Sequence, residues 1–484
     1  MAGQLTIYLV NPAFIKSEFI TFCPKSKVWT DYGLPMSTTS NEASKLFDAS
    51  LTQSCGMYNE PSVGGIENSI KQMLASDPDF VMGHVLNNNL QLGGSEKPLH
   101  LNPELQAKIT HLNSLKEKVQ SITERERRHI DATNLFAQGR RYEAIQTWED
   151  ILIDYPTDMM AVRQAFLGMI NMGLAQENKD ILTRILPYYD VQTPGYSTVL
   201  GWQAFCLEEN NLYDLAEKTA RKSLELERCE TYASHTLAHV YLMQGMHDKG
   251  IEFMLSTEND WNKCAFLACH NYWHVGLFHA EKGDFDSALE IFDTQVGVRT
   301  QKSKSDFNFT DASHLLYRLR LEGVNVGQRW SVLNETSDTY MFQHGIMFTE
   351  AHLFLKNACE EDKSVREKQL QSLKEYIKDS GTWDNKSIAK EVGIPLCEGI
   401  LAFENGEYQR AVEILYPLRY NVIKIGGSNA QRDVFNQILI NATLKSTDPK
   451  HHKLGRMLLS ERQVAKMSDS WTERMMAKFV AEHG

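Results

Sequence analysis

One pattern recurs along this 484-residue sequence and constrains its fold more than any other feature. It consists of a helix, a turn with Gly or Asn, an aromatic residue and then a small residue. In the clearest copy, Gly139 opens the turn, Tyr142 follows, and Ala144 and Trp148 share one face of the second helix until Pro156 ends it. Small residues let helices cross closely, large ones fill the space between them, and proline cannot continue a helix. The pattern therefore predicts a chain of helix–turn–helix units about 34 residues long.

The same spacing recurs along most of the chain. Clear copies occupy residues 126–160, 197–230, 231–260, 269–300 and 394–425. Several copies in one frame are typical of the tetratricopeptide repeat, whose units stack around a continuous core. We therefore predict an all-α fold, an α-solenoid of tetratricopeptide-like helix–turn–helix repeats with helical caps. Residues 28–484 are expected to form this single extended solenoid, and residues 1–27 a flexible N-terminal extension.

Composition and charge restrict what such a solenoid can bind. The sequence holds 50 basic and 62 acidic residues, a net charge of −12, which argues against nucleic acid and against anionic lipid surfaces. No uninterrupted apolar stretch approaches about 18 residues, so no membrane span is expected. The eight cysteines are scattered without a CxxC pair, which is typical of free thiols in a reducing compartment. Because the N-terminus also lacks a signal-peptide pattern, we predict a cytoplasmic protein.

Longer segments carry a more specific resemblance. They are STTSNEASKLFDASLTQ near the start, DPDFVMGH at Asp77–His84, HTLAH at His235–His239, ACHNYWH at Ala268–His274, YRLRLEGVNVGQRW at Tyr317–Trp330 and GGSNAQRDVFNQILI at Gly426–Ile440. Through them the chain resembles the tetratricopeptide repeat protein 38 family from about Val28 to about Arg474. The resemblance implies a helical-repeat fold and a cytoplasmic setting. It implies no established activity or substrate, so the function has to be sought in the residues themselves.

Histidines are concentrated in the middle repeats. Six of the 16 fall between His235 and His279, and four of these form the HxxxH pairs His235/His239 and His270/His274. Side chains four residues apart on a helix share one face. In the repeat frame these positions belong to the first helices of two neighbouring repeats, which line the concave groove side by side. We therefore predict a stretch of groove lined by four imidazoles.

Three interpretations of these histidines compete. Four neutral imidazoles can bind a transition metal such as Zn, Fe, Cu or Ni. They can instead bind an organic ligand or an acidic group, together with Trp273, Arg318 and His352 as further groove residues. They can also pack between helices with structural hydrogen bonds only. The HExxH arrangement of zinc proteases is excluded, because Thr236 follows His235.

These interpretations leave two functions open. The first is a scaffold or module that binds a protein, peptide or small-molecule ligand in a histidine-rich groove. The sequence leaves its oligomeric state open, and a homodimer is one alternative. The second is a metal-dependent or histidine-based enzyme with its site at the two HxxxH pairs. No catalytic residue stands out, because a GxSxG motif is absent. The two glycines of GGSNAQRD precede a helix, as at an anion site, but lack the Lys-Ser or Lys-Thr of a phosphate-binding loop.

Overall fold

The computed structural model describes residues 26–93, 99–264, 266–378, 381, 383–466 and 469–483, and these residues form helices and connections without a strand. The first helices are α1 (Ser26–Asp31), α2 (Asn41–Gly56), α3 (Gly65–Ser76), α4 (Val81–Gly93), α5 (Pro103–Lys118), α6 (Glu124–Ala137), α7 (Arg141–Asp154), α8 (Met159–Asn171) and α9 (Ala175–Ile185). The middle helices are α10 (Tyr196–Glu209), α11 (Tyr213–Leu226), α12 (Thr231–Met243), α13 (His247–Ser256), α14 (Glu258–Trp261), α15 (Leu267–Lys282), α16 (Phe285–Ile291), α17 (Gly297–Ser303) and α18 (Asp306–Leu321). The last are α19 (Asn334–Tyr340), α20 (Met347–Ala358), α21 (Lys363–Tyr376), α22 (Asp384–Ile388), α23 (Ile394–Glu404), α24 (Tyr408–Leu418), α25 (Asn429–Lys445), α26 (Pro449–Ala465) and α27 (Ser470–His483).

The predicted repeats fold as pairs of packed helices joined by short turns. The pairs are α6 with α7, α10 with α11, α12 with α13, α15 with α16 and α23 with α24. The clearest repeat starts with a capping box, in which the side chains of Thr123 and Glu126 each accept a hydrogen bond from the other residue's backbone N–H. The small and large residues of its second helix, Ala144 and Trp148, are fully buried. The prediction of an all-α fold built from helix–turn–helix repeats is confirmed.

The first helices of the central repeats form an inner row. In this row α10, α12, α15, α18 and α20 pack side by side in that order. They are buried on nearly every face; in α12 every residue from Thr231 to Leu242 is buried, the polar ones included. A helix that is buried all round belongs to the interior of a large protein. The inner row is therefore core.

The inner row is buried because the end of the chain folds back over it. After Gly426–Gly427, α25 packs against α12 and α18. Farther on, α27 packs against α15, where Nη1 of Arg474 donates to the Glu281 carbonyl at 2.6 Å. The backbone before α25 requires glycine, because Gly426 has a φ of +90° and a Cβ there would lie 2.5 Å from the Asn171 carbonyl oxygen. The helices predicted to cap the end of the array thus cover its middle.

The solenoid is strongly curved, because repeats far apart in the sequence touch. The Asp384 N–H donates to the Gly139 carbonyl at 3.1 Å, and Nη2 of Arg141 donates to the Gly345 carbonyl at 3.1 Å. Small rotations between successive repeats add up to curvature in a stack. Here the curvature is tight enough for the α6–α7 repeat to meet the α19–α20 and α21–α22 connections.

Three further expectations concern the ends and the compartment. The predicted N-terminal extension, residues 1–27, lies outside the described residues as far as residue 25. The seven cysteines in the described part of the chain are free thiols. None of the described helices combines the length and the apolar character needed to cross a membrane.

Candidate metal centre

Two neighbouring helices of the inner row bring four histidines together. His235 and His239 lie one turn apart on α12, and His270 and His274 lie one turn apart on α15. Their ring centroids are 4.4 Å apart for His235–His239 and for His239–His274, 4.7 Å for His235–His270 and 4.9 Å for His270–His274. We call these four residues the histidine quartet.

The ring nitrogens of the quartet converge. One nitrogen from each imidazole lies within 4.8 Å of the corresponding nitrogens of the other three. The Nε2 atoms of His235 and His270 are 2.9 Å apart. Four nitrogens in a tetrahedron, each about 2.0–2.1 Å from a central metal, would be about 3.3 Å from one another. Modest side-chain rotations would bring the observed spacing to that value.

Most nitrogens of the quartet lack a hydrogen-bond partner. Both nitrogens of His239, both of His274 and Nδ1 of His235 have no hydrogen-bond partner among the described residues. The four residues are 3, 0, 2 and 0% exposed in chain order, so bulk water does not replace the missing partners. Buried polar atoms are otherwise almost always paired. A set of unpartnered nitrogens that face one another is what a metal ion would satisfy.

Two carboxylates approach quartet histidines from outside. Asp311, on α18, accepts a hydrogen bond from Nδ1 of His270 at 2.8 Å, which leaves the His270 Nε2 lone pair facing the quartet. The other Asp311 oxygen accepts from Nε2 of Gln431 at 3.1 Å. Glu208 Oε2 lies 3.3 Å from Nδ1 of His239, within reach of a charge contact but not aligned for a hydrogen bond. A carboxylate that accepts a hydrogen bond from the outer ring nitrogen, as Asp311 does from His270, fixes the tautomer and the ring orientation of a metal-binding histidine.

Carboxyl groups outnumber cationic side chains around the quartet. The carboxylates of Glu208, Glu209 and Asp311 are buried there, and the Arg432 guanidinium pairs with Glu209 at 3.3 Å. Three negative charges less one positive charge leave an excess of two when every group is ionised, and such an excess is costly inside a protein. Burial raises the pKa of Glu208 to about 8 and that of Glu209 to about 7. A divalent cation would compensate the excess.

Burial also keeps imidazoles of the quartet neutral. It lowers the pKa of His239 to about 3 and holds the pKa values of His235 and His274 well below the ordinary histidine value. Neutral imidazole, with a nitrogen lone pair available, is the form that binds a metal. The electrostatics and the geometry therefore point to the same chemistry.

The remaining predicted site residues are buried as well. Trp273 stacks on His270 with ring centroids 4.7 Å apart, and so forms one wall of the quartet. Arg318 pairs with Glu281 in a different cluster. His352 uses its Nδ1–H for a hydrogen bond of 2.8 Å to a backbone carbonyl of its own helix. Among the described contacts of these three residues, only those of Trp273 include the quartet.

The four histidines of the predicted groove are buried. The helix α25 covers the inner row at α12 and α18, and it excludes the groove surface that the repeat frame led us to expect. A protein or peptide therefore has no surface to contact at His235, His239, His270 or His274. His247, at the start of α13, is buried too.

The start of α25 already holds a carboxylate of the chain itself. The backbone N–H of Asn429 donates to both oxygens of Glu209, at 2.8 and 3.0 Å. Ser428 and Gln431 form a capping box at the same turn. A helix N-terminus favours negative charge because its first N–H groups are unpaired. The glycine pair of GGSNAQRD thus docks α25 onto α10 and is not a phosphate site.

A second buried polar cluster, beyond the quartet, is balanced in charge. It contains three carboxylates and three cations, namely Glu281, Asp433, Asp469, Arg318, Arg462 and Lys466. Arg462 is central, because its Nε donates to Asp469 at 2.8 Å and its Nη2 donates to Asp433 at 2.9 Å. The charges of this six-charge cluster cancel when every group is ionised. The quartet, with its excess of negative charge, differs from it in this respect.

The comparisons with known proteins bear on the fold alone. No family model matches the chain. The human IFIT1 dimer with m7Gppp-AAAA is 14% identical over 79% of this chain and 86% of its own, with a TM-score of 0.34. A monomeric IFIT1 mutant with Gppp-AAAA is 14% identical over 90% of this chain and 99% of its own, with a TM-score of 0.35. The TPR domain of P58(IPK) is 14% identical over 74% of this chain and 98% of its own, with a TM-score of 0.21. Likeness at this level says nothing about what the chain binds.

Proposed function

We propose that this chain is a metal-binding helical-repeat protein in which His235, His239, His270 and His274 hold one transition-metal ion. The observation that supports this most is the convergence of four buried ring nitrogens within 4.8 Å of one another. Two of the four imidazoles, those of His239 and His274, have no hydrogen-bond partner among the described residues. The excess of buried carboxylates around them supplies the charge that a divalent ion needs.

The ligand set restricts the metal and its role. Four imidazoles suit Zn, Fe, Cu or Ni rather than Mg or Ca, which prefer oxygen ligands. A metal with four protein ligands and no open position is typical of a structural site, whereas a catalytic site keeps one position for water or substrate. Because the quartet is buried, a closed structural site is favoured over the open site of a metal-dependent enzyme. The ion would join α12 to α15, which belong to consecutive repeats.

Metal content of the purified protein tests the proposal. The wild-type chain, expressed in medium with trace metals and purified without chelator, is expected to carry about one transition-metal ion per chain. The double variant His239→Ala/His274→Ala is expected to carry almost none, because two ligands cannot hold the ion. Inductively coupled plasma mass spectrometry reads every candidate metal in one measurement.

A matched control lies on the same helix. His279 is near the end of α15, is partly exposed and pairs with Asp284 at 2.9 Å. His279→Ala should therefore keep the full metal content. The proposal fails if the wild-type protein contains no transition metal and its metal-free form takes up none, or if the double variant retains as much as His279→Ala.

We also propose, from the sequence segments alone, that the chain is a cytoplasmic member of the tetratricopeptide repeat protein 38 family. The segments from DPDFVMGH to GGSNAQRDVFNQILI support this. We expect protein binding to use the exposed faces of the repeats, because the quartet is covered by α25. An alignment of homologues in which those segments fail to recur would contradict the family assignment.

A further inference from the structure

The connection between α19 and α20 has an unusual backbone. Phe342 has a φ of +73° and His344 a φ of +52°, so two residues out of three adopt the left-handed conformation that non-glycine residues rarely take. Such conformations persist only where the surroundings impose them, and they are concentrated at functional sites. The surroundings therefore impose the backbone conformation at His344.

Neighbouring helices fix this connection from two sides. Nδ2 of Asn385, on α22, donates to the His344 carbonyl at 2.7 Å. Nη2 of Arg141, on α7, donates to the next carbonyl, that of Gly345, at 3.1 Å. The strained turn is thus tied to elements distant in the sequence, and the His344 ring has a defined position.

His344 lies between a serine and a glutamate. Its Nδ1 is 2.9 Å from Glu350 Oε2, and its Nε2 is 2.8 Å from the hydroxyl oxygen of Ser372 on α21. With Glu350 accepting from Nδ1–H, the neutral ring presents the Nε2 lone pair, which accepts the Ser372 proton. This is the order of nucleophile, general base and orienting acid in a serine triad, which is recognised by geometry and not by chain order.

The acid of this arrangement is itself held. The second oxygen of Glu350 accepts from Nε2 of Gln369 at 2.8 Å, and Gln369 in turn accepts from Nδ2 of Asn357 at 2.8 Å. Glu350 and His344 are buried, whereas Ser372 is partly exposed. Because the acid and the base are fixed in the interior, the base stays in position next to the serine. Because the serine lies at the surface, a substrate can reach its hydroxyl.

We propose that Ser372, His344 and Glu350 form a serine nucleophile site that takes an acyl group from small esters. The Ser372 oxygen would attack the ester carbonyl carbon while its proton passes to Nε2 of His344. The bond to the leaving alcohol then breaks, and His344 returns the proton to that oxygen. Water, deprotonated by His344, hydrolyses the acyl-serine to a carboxylic acid and restores the hydroxyl. The site shares no residue with the metal centre and goes beyond the proposed function.

A covalent probe tests this site in the full-length protein. A biotinylated fluorophosphonate is expected to react with Ser372, whose oxygen displaces fluoride from phosphorus. The label should appear in the tryptic peptide Gln369–Lys374, in which Ser372 is the only serine. His344→Ala should slow labelling by about 100-fold, because the general base is lost. Glu350→Gln should also slow it, since the ring would lose its orienting charge.

Ser364 on the same helix provides the matched control. It is partly exposed, like Ser372, and should not be labelled. Two cysteine variants, Ser372→Cys and Ser364→Cys, guard against misfolding, and their rates of reaction with iodoacetamide are compared. The Ser372→Cys thiol should react faster than the Ser364→Cys thiol. This difference should disappear when His344→Ala is added. The proposal is overturned if Ser372 is labelled no faster than Ser364, or if His344→Ala changes neither the labelling rate nor the thiol rate.

Discussion

Removal of the metal with dipicolinate is expected to lower the hydrogen-exchange protection of α12 and α15 by about 1000-fold. A ligand present at about 1000 times its dissociation constant stabilises the folded state by about 4 kcal/mol, which is a 1000-fold change in the opening equilibrium. The effect should be concentrated on these helices because the quartet joins them. Hydrogen exchange followed by mass spectrometry resolves peptides from each helix.

The metal-free variant supplies the control for this result. In His239→Ala/His274→Ala the chelator should change nothing, because no ion is bound to remove. Peptides from α4 and α5, which belong to the first part of the chain, should exchange at the same rate with and without chelator. Equal protection of α12 and α15 in both conditions would mean that no ion holds the two helices together.

Loss of one carboxylate from the six-charge cluster is expected to have the second largest effect. Burial alone would raise the pKa of Asp433, but the charges of Arg462, Lys466 and Arg318 hold it below its usual range. Asp433→Ala leaves these cations with one negative charge too few. Removal of one partner from a buried ion pair typically costs about 3–5 kcal/mol, since the other charge stays buried and unpaired. Urea unfolding followed by circular dichroism measures the free energy of unfolding.

Two comparisons separate this charge effect from a packing effect. Glu398 pairs with Lys374 at 2.7 Å near the surface, and Glu398→Ala should cost no more than about 1 kcal/mol. The double variant Asp433→Ala/Arg462→Leu restores equal numbers of charges, so it should cost less than the sum of the two single variants. If Asp433→Ala is no more costly than Glu398→Ala, the cluster does not stabilise the fold in this way.

Local patterns explain the part of the structure that the sequence predicted. Ala144 and Trp148 are small and large residues at helical spacing, and both are buried as the repeat requires. The two HxxxH pairs lie on neighbouring first helices, and the i and i+4 geometry places each pair on one face. Because consecutive repeats pack side by side, the meeting of the two pairs followed from local spacing and repeat order.

The other parts of the site depend on contacts that have no local signal. Glu208 and Asp311 reach the quartet from α10 and α18, the helices on either side of α12 and α15 in the inner row. The burial of the quartet depends on α25, which is far along the chain. Ser372 and His344 are 28 residues apart and belong to no short motif. Such pairings depend on the curvature of the repeat stack and on the way in which the end of the chain folds back over it. The periodic sequence pattern of the repeats does not encode either.

X-ray absorption at the metal edge tests the central claim most directly, because it reads the atoms bound to the ion. The quartet predicts about four nitrogen ligands at about 2.0–2.1 Å, with the outer-shell scattering of imidazole rings. That signal should vanish in His239→Ala/His274→Ala and persist in His279→Ala. Sulfur ligands, an all-oxygen shell, or an unchanged spectrum in the double variant would show that the ion is bound elsewhere and would contradict the account.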